Sequence, residues 1–164
     1  FISTVVHRPG LLILDEPFSG LDPINTNLIK DEIDELHKNG TSIIFSTHRM
    51  EQVEEVCEFM VLINQGKNVL EGSVKDVKNQ YKENLFKIDF EGELPAESLA
   101  QTKIITQKDQ SITVQLNEGD DSNALLRHLI QKNVHIHSFN EILPTLNEIF
   151  IRKVASSNLE KTTA

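Results

Sequence analysis

Residues 11–23 read LLILDEPFSGLDP, and this stretch predicts how the first half of the chain folds. Its first four residues are apolar, Asp15 and Glu16 follow them directly, and Pro17 and Gly20 come next. A run that is apolar at every position is typical of a parallel strand covered on both faces by helices, although buried helices carry such runs too. Pro17 and Gly20 favour the strand, because both residues break helices. We therefore predict a buried strand that delivers two carboxylates to a turn.

The composition is that of a soluble globular protein. The chain has 164 residues, of which 38% are hydrophobic and 25% are charged, enough for one domain or two small ones. The net charge of -9 argues against a nucleic-acid partner, because binding to phosphates requires a clustered basic face. Cys57 is the single cysteine, which excludes an intrachain disulfide and fits a reducing compartment, and we expect it to pack. The reducing compartment predicts a cytoplasmic chain, and no apolar run reaches the ~18 residues of a membrane span, so we expect that the chain does not cross a bilayer.

The first residues predict a preceding segment. Residues 1–7 have the pattern of the last turns of an amphipathic helix, and Arg8, Pro9 and Gly10 end it. Phe1 is not a methionine. We expect these 164 residues to be a fragment of a longer protein.

A helix and a second strand follow the opening stretch. Asp22 and Pro23 predict a helix start, since Asp accepts hydrogen bonds from exposed backbone N–H groups and Pro at the first position loses none. Gly40 ends this helix, and residues 41–46 predict a second buried strand that ends at His48. The expected apolar face of the helix consists of Ile24, Leu28, Ile29, Ile33 and Leu36. A strand, helix and strand of this kind predict a parallel crossover, so Asp15, Glu16 and His48 should converge at the carboxyl ends of the strands.

Three further elements complete the predicted first domain, residues 1–80. We expect a short helix over residues 50–58, with Val53, Val56 and Cys57 inward. The segments 59–63 and 67–71 flank Asn64-Gln65-Gly66, which predicts a hairpin. Ser73 is expected to cap a helix through Gln80.

Alternating hydrophobicity predicts a second, small domain over residues 84–154. Strands are expected at residues 85–90, 102–107, 111–116 and 134–139, in an antiparallel sheet with one solvated face. Asp121 or Ser122 predicts one helix start, and Thr145 predicts another helix through Val154. His135 and His137 share one strand face, which we interpret as a polar sheet surface rather than a metal site. Residues 155–164 are predicted to be a disordered tail.

Two adjacent carboxylates at a strand end suit chemistry on a nucleotide phosphate. Asp15 can hold Mg²⁺, and Glu16, which points elsewhere, can align or deprotonate a water aimed at the terminal phosphorus. His48 can donate a hydrogen bond to a phosphate oxygen. The alternative is that Asp15 and Glu16 merely end a strand as solvated acids. A histidine arriving from the next strand favours phosphoryl transfer.

At these residues the chain resembles the ATP-binding cassette (ABC) ATPases. Leu11 to Glu16 look like the Walker B strand of that family, Ser19-Gly20-Leu21-Asp22 like the D-loop, and Ser46-Thr47-His48 like the switch-histidine segment. The resemblance covers about residues 1–80. Residues 84–154 look like the accessory domain of many bacterial exporters, and the segment 144–150 is similar to its closing helix.

The resemblance implies an α/β fold: the C-terminal part of a P-loop NTPase parallel sheet, followed by a small α+β domain. It implies ATP and Mg²⁺ as cofactors, with Glu16 and His48 catalytic, Asp15 on the metal, and Ser19 and Asp22 at the ATP-binding interface. The implied partners are a second ATP-binding subunit and integral membrane permease subunits, which would place the protein on the inner face of the cell membrane.

Three parts of the family's ATP site, one of them the glutamine loop, are absent from these 164 residues. A phosphate-binding loop reads Gly, four residues, Gly-Lys-Ser/Thr, whereas Gly66-Lys67 is followed by Asn68 and Val61 stands in place of the first glycine. The glycine-rich signature before Leu11 is missing as well. We expect the parent protein to be a Mg²⁺-dependent ATPase and the isolated chain to be inactive.

Two other classes of function remain open at this point. Residues 84–154 could form a regulatory or dimerisation module, so that the chain binds rather than catalyses. The chain could also come from a soluble cassette protein of translation or DNA repair, although such proteins usually carry two cassettes or coiled-coil insertions.

Overall fold

The computed structural model of the chain describes residues 1–94 and 102–162. Its helices are α1 (Ile2–Val5), α2 (Pro23–Lys38), α3 (Met50–Val56), α4 (Val74–Gln80), α5 (Ser122–Gln131) and α6 (Leu146–Thr162). Its strands are β1 (Leu11–Asp15), β2 (Ser42–Ser46), β3 (Phe59–Asn64), β4 (Lys67–Ser73), β5 (Leu85–Glu91), β6 (Lys103–Lys108), β7 (Ser111–Gln115) and β8 (His135–Ile142). The chain divides into two compact units, residues 1–74 with the described part of 153–164, and residues 75–152.

Strands β1 and β2 of the first unit pair in parallel, as their sequence pattern predicts. Leu12 lies beside Ile43, and the pairing ends with Asp15 beside Ser46. Helix α2 connects the two strands and is capped by Asp22, whose side chain accepts hydrogen bonds from the backbone N–H groups of Ile24 at 2.9 Å and Asn25 at 3.0 Å. The last residues of both strands therefore lie at the same edge.

The prediction that helices cover both faces of β1 is wrong within the described residues. Leu12 is buried, whereas Ile13 is 69% exposed and Ile44 on the neighbouring strand is 58% exposed. Successive side chains of a strand point to opposite faces, and the described residues cover the face that carries Leu12. On that face Phe18 packs edge-to-face against Phe45, with ring centroids 5.8 Å apart.

Helix α2 differs from its prediction in the length of its buried face. Ile33 is buried and Ile29 and Leu36 are half-buried, but Ile24 is 76% exposed and Leu28 is 56% exposed. Helical periodicity identifies a stripe of apolar residues without fixing how much of the stripe a partner covers. Among the described residues, the apolar face is covered at Ile29, Ile33 and Leu36 but not at Ile24 or Leu28.

Helix α3 is shorter than predicted and buries a different residue. It ends at Val56, and Val53, Val56 and Cys57 are half-buried, whereas Gln52 is buried. Burial raises the pKa of the Cys57 thiol to about 11, so the thiol stays protonated at neutral pH. This agrees with the packing role expected for the single cysteine.

The predicted hairpin is confirmed. Strands β3 and β4 are antiparallel, and the turn residues Gln65 and Gly66 both have positive φ, 50° and 72°. Two consecutive residues of positive φ are characteristic of the tight hairpin turns that match strand twist. Helix α4 follows β4 directly.

The second unit contains a four-stranded antiparallel sheet in the order β6-β7-β5-β8. One face forms a core with α5, and its fully buried residues include Ile88, Ile112, Val114 and Leu129. Asp121 caps α5 by accepting a hydrogen bond from the backbone N–H of Asn123 at 2.9 Å. The antiparallel sheet with one solvated face is as predicted.

Helix α6 begins with a capping box and runs farther than predicted. The backbone N–H of Thr145 donates to Glu148 Oε2 at 2.8 Å, and the backbone N–H of Glu148 donates to Thr145 Oγ1 at 3.2 Å. The helix continues past Val154 to Thr162, into the segment for which disorder was predicted. Residues 163 and 164 of that segment lie outside the described residues.

Asp89 in the second unit gives a pH-dependent prediction. Hydrogen bonds from Ser111 and Ser138, on the two flanking strands, and the nearby Lys87 lower the pKa of Asp89 from 3.8 to about 2. The Ser138 hydroxyl lies 2.6 Å from Asp89 Oδ2. A depressed carboxyl pKa stabilises the fold above the unfolded value and loses that effect as the pH falls through the folded value. We expect Ser138→Ala to lower the free energy of unfolding at pH 7, by an amount that shrinks between about pH 4 and pH 2.

Urea unfolding at several pH values measures this effect. Ser138→Ala in an Asp89→Asn background is the control, and there the pH dependence of the difference should vanish. A difference that stays constant from pH 7 to pH 2 would contradict the role of Asp89.

Candidate functional site

Glu16 occupies the turn that directly follows β1. Its φ is +46°, in the left-handed region that is unfavourable for a residue with a side chain. Its backbone N–H donates to the carbonyl oxygen of Ser46 at 2.9 Å, which ties the end of β1 to the end of β2. A strained residue held by its neighbours at the edge of a sheet is typical of a functional site.

The Glu16 carboxylate is bound by the residues that follow β2. Its Oε1 accepts from the backbone N–H of His48 at 2.9 Å and lies 2.6 Å from the ring Nδ1 of the same residue. Its Oε2 accepts from the Thr47 hydroxyl at 3.1 Å. The structure thus brings together Glu16 and His48, two of the residues proposed from the sequence, and adds Thr47.

These hydrogen bonds lower the pKa of the Glu16 carboxyl. The contact with the His48 ring is the largest effect that lowers the pKa of Glu16 below its ordinary value, and the His48 backbone and the Thr47 hydroxyl act in the same direction. Partial burial of the carboxylate raises its pKa, but the hydrogen bonds have the larger effect. Glutamate is ordinarily ionised at neutral pH, and these contacts reinforce that state, which an acceptor of hydrogen bonds or protons requires.

Asp15 lies one residue earlier and points to the other face of β1. The hydroxyl of Ser46, its partner in the strand pairing, donates to Asp15 Oδ1. The side chain is exposed, and its carboxylate oxygens are hard donors of the kind that Mg²⁺ prefers. Asp15 and Glu16 are thus separate carboxylates with different surroundings.

Ser19 and Asp22 lie in the turn between β1 and α2, where the structure gives them local contacts. The backbone N–H of Ser19 donates to the Glu16 carbonyl oxygen at 3.0 Å. The Asp22 carboxylate caps α2, and the hydrogen bond from the Asn25 backbone is the largest effect that lowers its pKa. Their expected role at an ATP-binding interface stays a prediction.

A buried aromatic ring and an ion pair pack next to this turn. Phe18 is buried, and the Lys30 ammonium lies 5.9 Å from the centre of its ring. Lys30 also forms an ion pair with Glu55 of α3. Helix α2, which precedes β2, is thereby joined to α3, which follows it.

Sequence reasoning did not identify Gln52 or single out Thr47. Gln52 of α3 is buried, and its Oε1 lies 2.8 Å from the Thr47 hydroxyl. The available signal was a polar residue in a short helix next to a candidate site. That signal is weak, because most such residues are solvated.

His135 and His137 lie on an exposed strand face, in agreement with their interpretation as a polar surface. The structure places Glu91 nearby, with its Oε2 4.0 Å from His135 Nδ1 and 3.7 Å from His137 Nε2. No group of three His, Cys, Asp or Glu side chains within residues 1–94 and 102–162 has the geometry of a metal site.

No helix in the same ranges is long and apolar enough to cross a membrane.

Comparison with known protein families identifies the chain. The family described as ATP-binding protein DrrA1-3-like, C-terminal domain, matches residues 72–154. The chain belongs to this family of ABC transporter ATP-binding proteins. The resemblance seen in the sequence is therefore confirmed.

Curated relatives match most of the chain. An uncharacterised ABC transporter ATP-binding protein of Alkalihalophilus pseudofirmus is 37% identical over 96% of the chain and 59% of its own length. The uncharacterised ABC transporter ATP-binding protein YhaQ of Bacillus subtilis is 38% identical over 95% of the chain and 52% of its own length. The daunorubicin/doxorubicin resistance ATP-binding protein DrrA of Streptomyces peucetius is 26% identical over 91% of the chain and 48% of its own length. The chain thus spans about half the length of these relatives.

The contact between Glu16 and His48 gives a prediction for the chain alone. We expect His48→Ala to raise the pKa of Glu16 towards its ordinary value, because the ring contact is the largest effect that lowers it. Carbon-13 NMR of the Glu16 carboxyl carbon during a pH titration measures this change. His37→Ala is the control, since His37 lies near Glu58 instead, and an unchanged Glu16 pKa in His48→Ala would contradict the assignment.

Proposed function

We propose that this chain is the water-activating part of the ATP site in an ABC transporter ATP-binding subunit. The observation that carries the proposal is the Glu16 carboxylate, held by Thr47 and His48 at the paired ends of two parallel strands. Family membership supports ATP as the nucleotide. The wider fold proposed is the C-terminal part of a P-loop NTPase parallel sheet, to which β1 and β2 belong.

Glu16 aligns or deprotonates the attacking water in this proposal. A carboxylate offers about four lone-pair positions, and His48 and Thr47 occupy three of them, which leaves one for a water. Glu16 is ionised at neutral pH, as glutamate ordinarily is, so that position accepts a hydrogen bond. Holding the carboxylate in one orientation supplies the positioning on which phosphoryl transfer depends.

The remaining residues bind and orient. His48 holds Glu16 through Nδ1, and its Nε2 is proposed to contact a phosphate oxygen. Asp15 would hold Mg²⁺ through its carboxylate, with the Ser46 hydroxyl fixing the orientation of that group. When bound, the metal ion neutralises charge on the phosphates. Ser19 and Asp22 are proposed to lie at the ATP-binding interface with a second subunit.

The proposed organisation is a cassette part over residues 1–80 and an accessory α+β domain over residues 84–154. The partners are a second ATP-binding subunit and integral membrane permease subunits, which would keep the protein at the cytoplasmic face of the membrane. Export is favoured over import by the name of one relative, a daunorubicin/doxorubicin resistance ATP-binding protein. We also propose that the chain functions within a longer subunit, which the length of its relatives supports.

Replacing Glu16 tests the catalytic assignment. In the longer subunit we expect Glu16→Gln to lower kcat for ATP hydrolysis by about 100-fold or more, because a positioned general base contributes about that factor. ATP binding should persist, since the amide keeps the shape of the side chain. Glu32→Gln on the exposed side of α2 is the matched control. Hydrolysis at the unmodified rate by Glu16→Gln would overturn the proposal.

The isolated 164-residue chain gives a second test. We expect no Glu16-dependent ATP hydrolysis, because its sequence contains neither the phosphate-binding loop nor the glycine-rich signature of the family. A phosphate-release assay on the chain and on its Glu16→Gln variant measures this. Turnover that disappears in the variant would contradict the prediction.

A further inference from the structure

Asn39 and Gly40 form the only asparagine–glycine pair in the sequence. They lie between the end of α2 and the start of β2, and both residues are exposed. Glycine after asparagine favours spontaneous loss of the side-chain amide, because a residue without a Cβ does not hinder attack by its own backbone nitrogen. Within the part of the chain that the structure describes, nothing forms a hydrogen bond with the Asn39 side chain, and the space around the Gly40 Cα is open.

The reaction of such a pair is intramolecular and requires only water and hydroxide. The Gly40 backbone nitrogen loses its proton and forms a bond to Asn39 Cγ. The bond from Cγ to Nδ2 breaks, and Nδ2 takes up a proton and leaves as ammonia. Water then opens the five-membered imide at one of its two carbonyl carbons. One product has a carboxylate side chain at position 39, and the other has an isoaspartyl link, in which the backbone runs through the former side chain.

The end of α2 opposes this reaction. The Gly40 N–H donates to the His37 carbonyl oxygen at 2.9 Å, and the Thr41 N–H donates to the Leu36 carbonyl oxygen at 3.0 Å. These two bonds and the positive φ of Gly40, 93°, form the Schellman motif that ends many helices. The proton that must leave is therefore held in a hydrogen bond. Ring closure also requires the Gly40 nitrogen to eclipse Asn39 Cβ about the Cα–C bond, which the ψ of 7° at Asn39 prevents.

We propose that Asn39–Gly40 is a self-modification site of the chain, closed while the Schellman motif at the end of α2 is formed and open when that end of the helix unwinds. This inference goes beyond the proposed function and does not rest on it. The terminal turns of a helix open more readily than the fold as a whole, so the site reacts through local opening. The fraction of time for which the helix end is open sets the rate of modification.

The products change the junction that precedes β2. A carboxylate at position 39 lies at the C-terminal end of α2, four residues after Glu35, where the helix dipole and the like charge both oppose it. The isoaspartyl product lengthens the backbone just before Thr41, whose hydroxyl donates to the Pro9 carbonyl oxygen at 3.1 Å. The next residue, Ser42, donates its N–H to the Gly10 carbonyl oxygen at 3.0 Å. Modification therefore acts on the contacts that hold the start of β2 beside β1.

Comparison of the chain with a short peptide tests the proposal. A synthetic peptide of residues 34–44, too short for a stable helix, represents the open state in the same buffer. Peptide mass spectrometry after incubation at mildly alkaline pH measures replacement of the Asn39 amide by a carboxyl group. We expect the chain to react about tenfold or more slowly than the peptide, because its helix end is mostly closed. Equal rates would overturn the proposal, as would a peptide that stays unmodified. Asn39→Gln is the control and should stay unmodified, because glutamine would have to close a larger ring.

Lys38 tests whether the opening is local. Its ammonium forms an ion pair with Asp34, and a cation in the last turn is favoured by the helix dipole. Lys38→Glu removes both effects and keeps the asparagine–glycine pair. Relative to a peptide with the same substitution, we expect the chain to react about two- to fivefold faster than before. Lys108→Glu, the same change of charge on β6, should leave the rate unchanged. An unchanged rate in Lys38→Glu, or an equal rise in Lys108→Glu, would overturn local opening. If Lys38→Glu does not fold, Lys38→Gln, which removes the ion pair, decides by the same criterion.

Discussion

The hydrogen bond from the Glu16 backbone N–H to the Ser46 carbonyl oxygen is the constraint on which the candidate site depends. It extends the parallel pairing of β1 and β2 by one residue, beyond the point where β1 itself has ended. Glu16 has a positive φ, so the chain turns away from the direction of β1 at this residue. The hydrogen bond to Ser46 holds Glu16 beside the end of β2 in spite of that unfavourable conformation. Thr47 and His48 follow Ser46 directly, so they meet the carboxylate with backbone and side-chain donors together.

Neighbouring elements support that geometry through ordinary packing and one polar contact. Phe18 fills the space below the turn, and Lys30 joins α2 to α3 through Glu55. The buried amide of Gln52 lies 2.8 Å from the Thr47 hydroxyl. A hydrogen bond at a partly enclosed position stabilises the structure more than the same contact in water, because fewer water molecules compete for its donor and acceptor. The carboxylate itself is held by Thr47 and His48, the two residues that follow Ser46.

The second unit has its own core and carries none of the candidate catalytic residues. Its antiparallel sheet buries one face against α5, and its solvated face carries polar residues such as His135 and His137. Asp89 lies between serines of the two neighbouring strands, and their hydroxyls supply hydrogen bonds to its carboxylate within the sheet. The family match, residues 72–154, covers all of this unit, and the candidate catalytic residues lie outside it, in residues 15–48. The segment matched by the family model and the candidate catalytic residues therefore lie in different parts of the sequence.

The sequence by itself determined the order and type of the elements, the caps at Asp22 and Thr145, and the approach of Glu16 to His48. Those features follow from short-range patterns: apolar runs, turn residues and the parallel pairing that a strand–helix–strand unit requires. The tertiary structure decided which faces are covered, since Ile13 and Ile24 belong to patterns that predict burial but lie exposed among the described residues. It also decided that Gln52 is inside and bound to Thr47. Periodicity records which side chains share a face, whereas burial and hydrogen bonding depend on what packs there, and that is set by residues distant in the sequence.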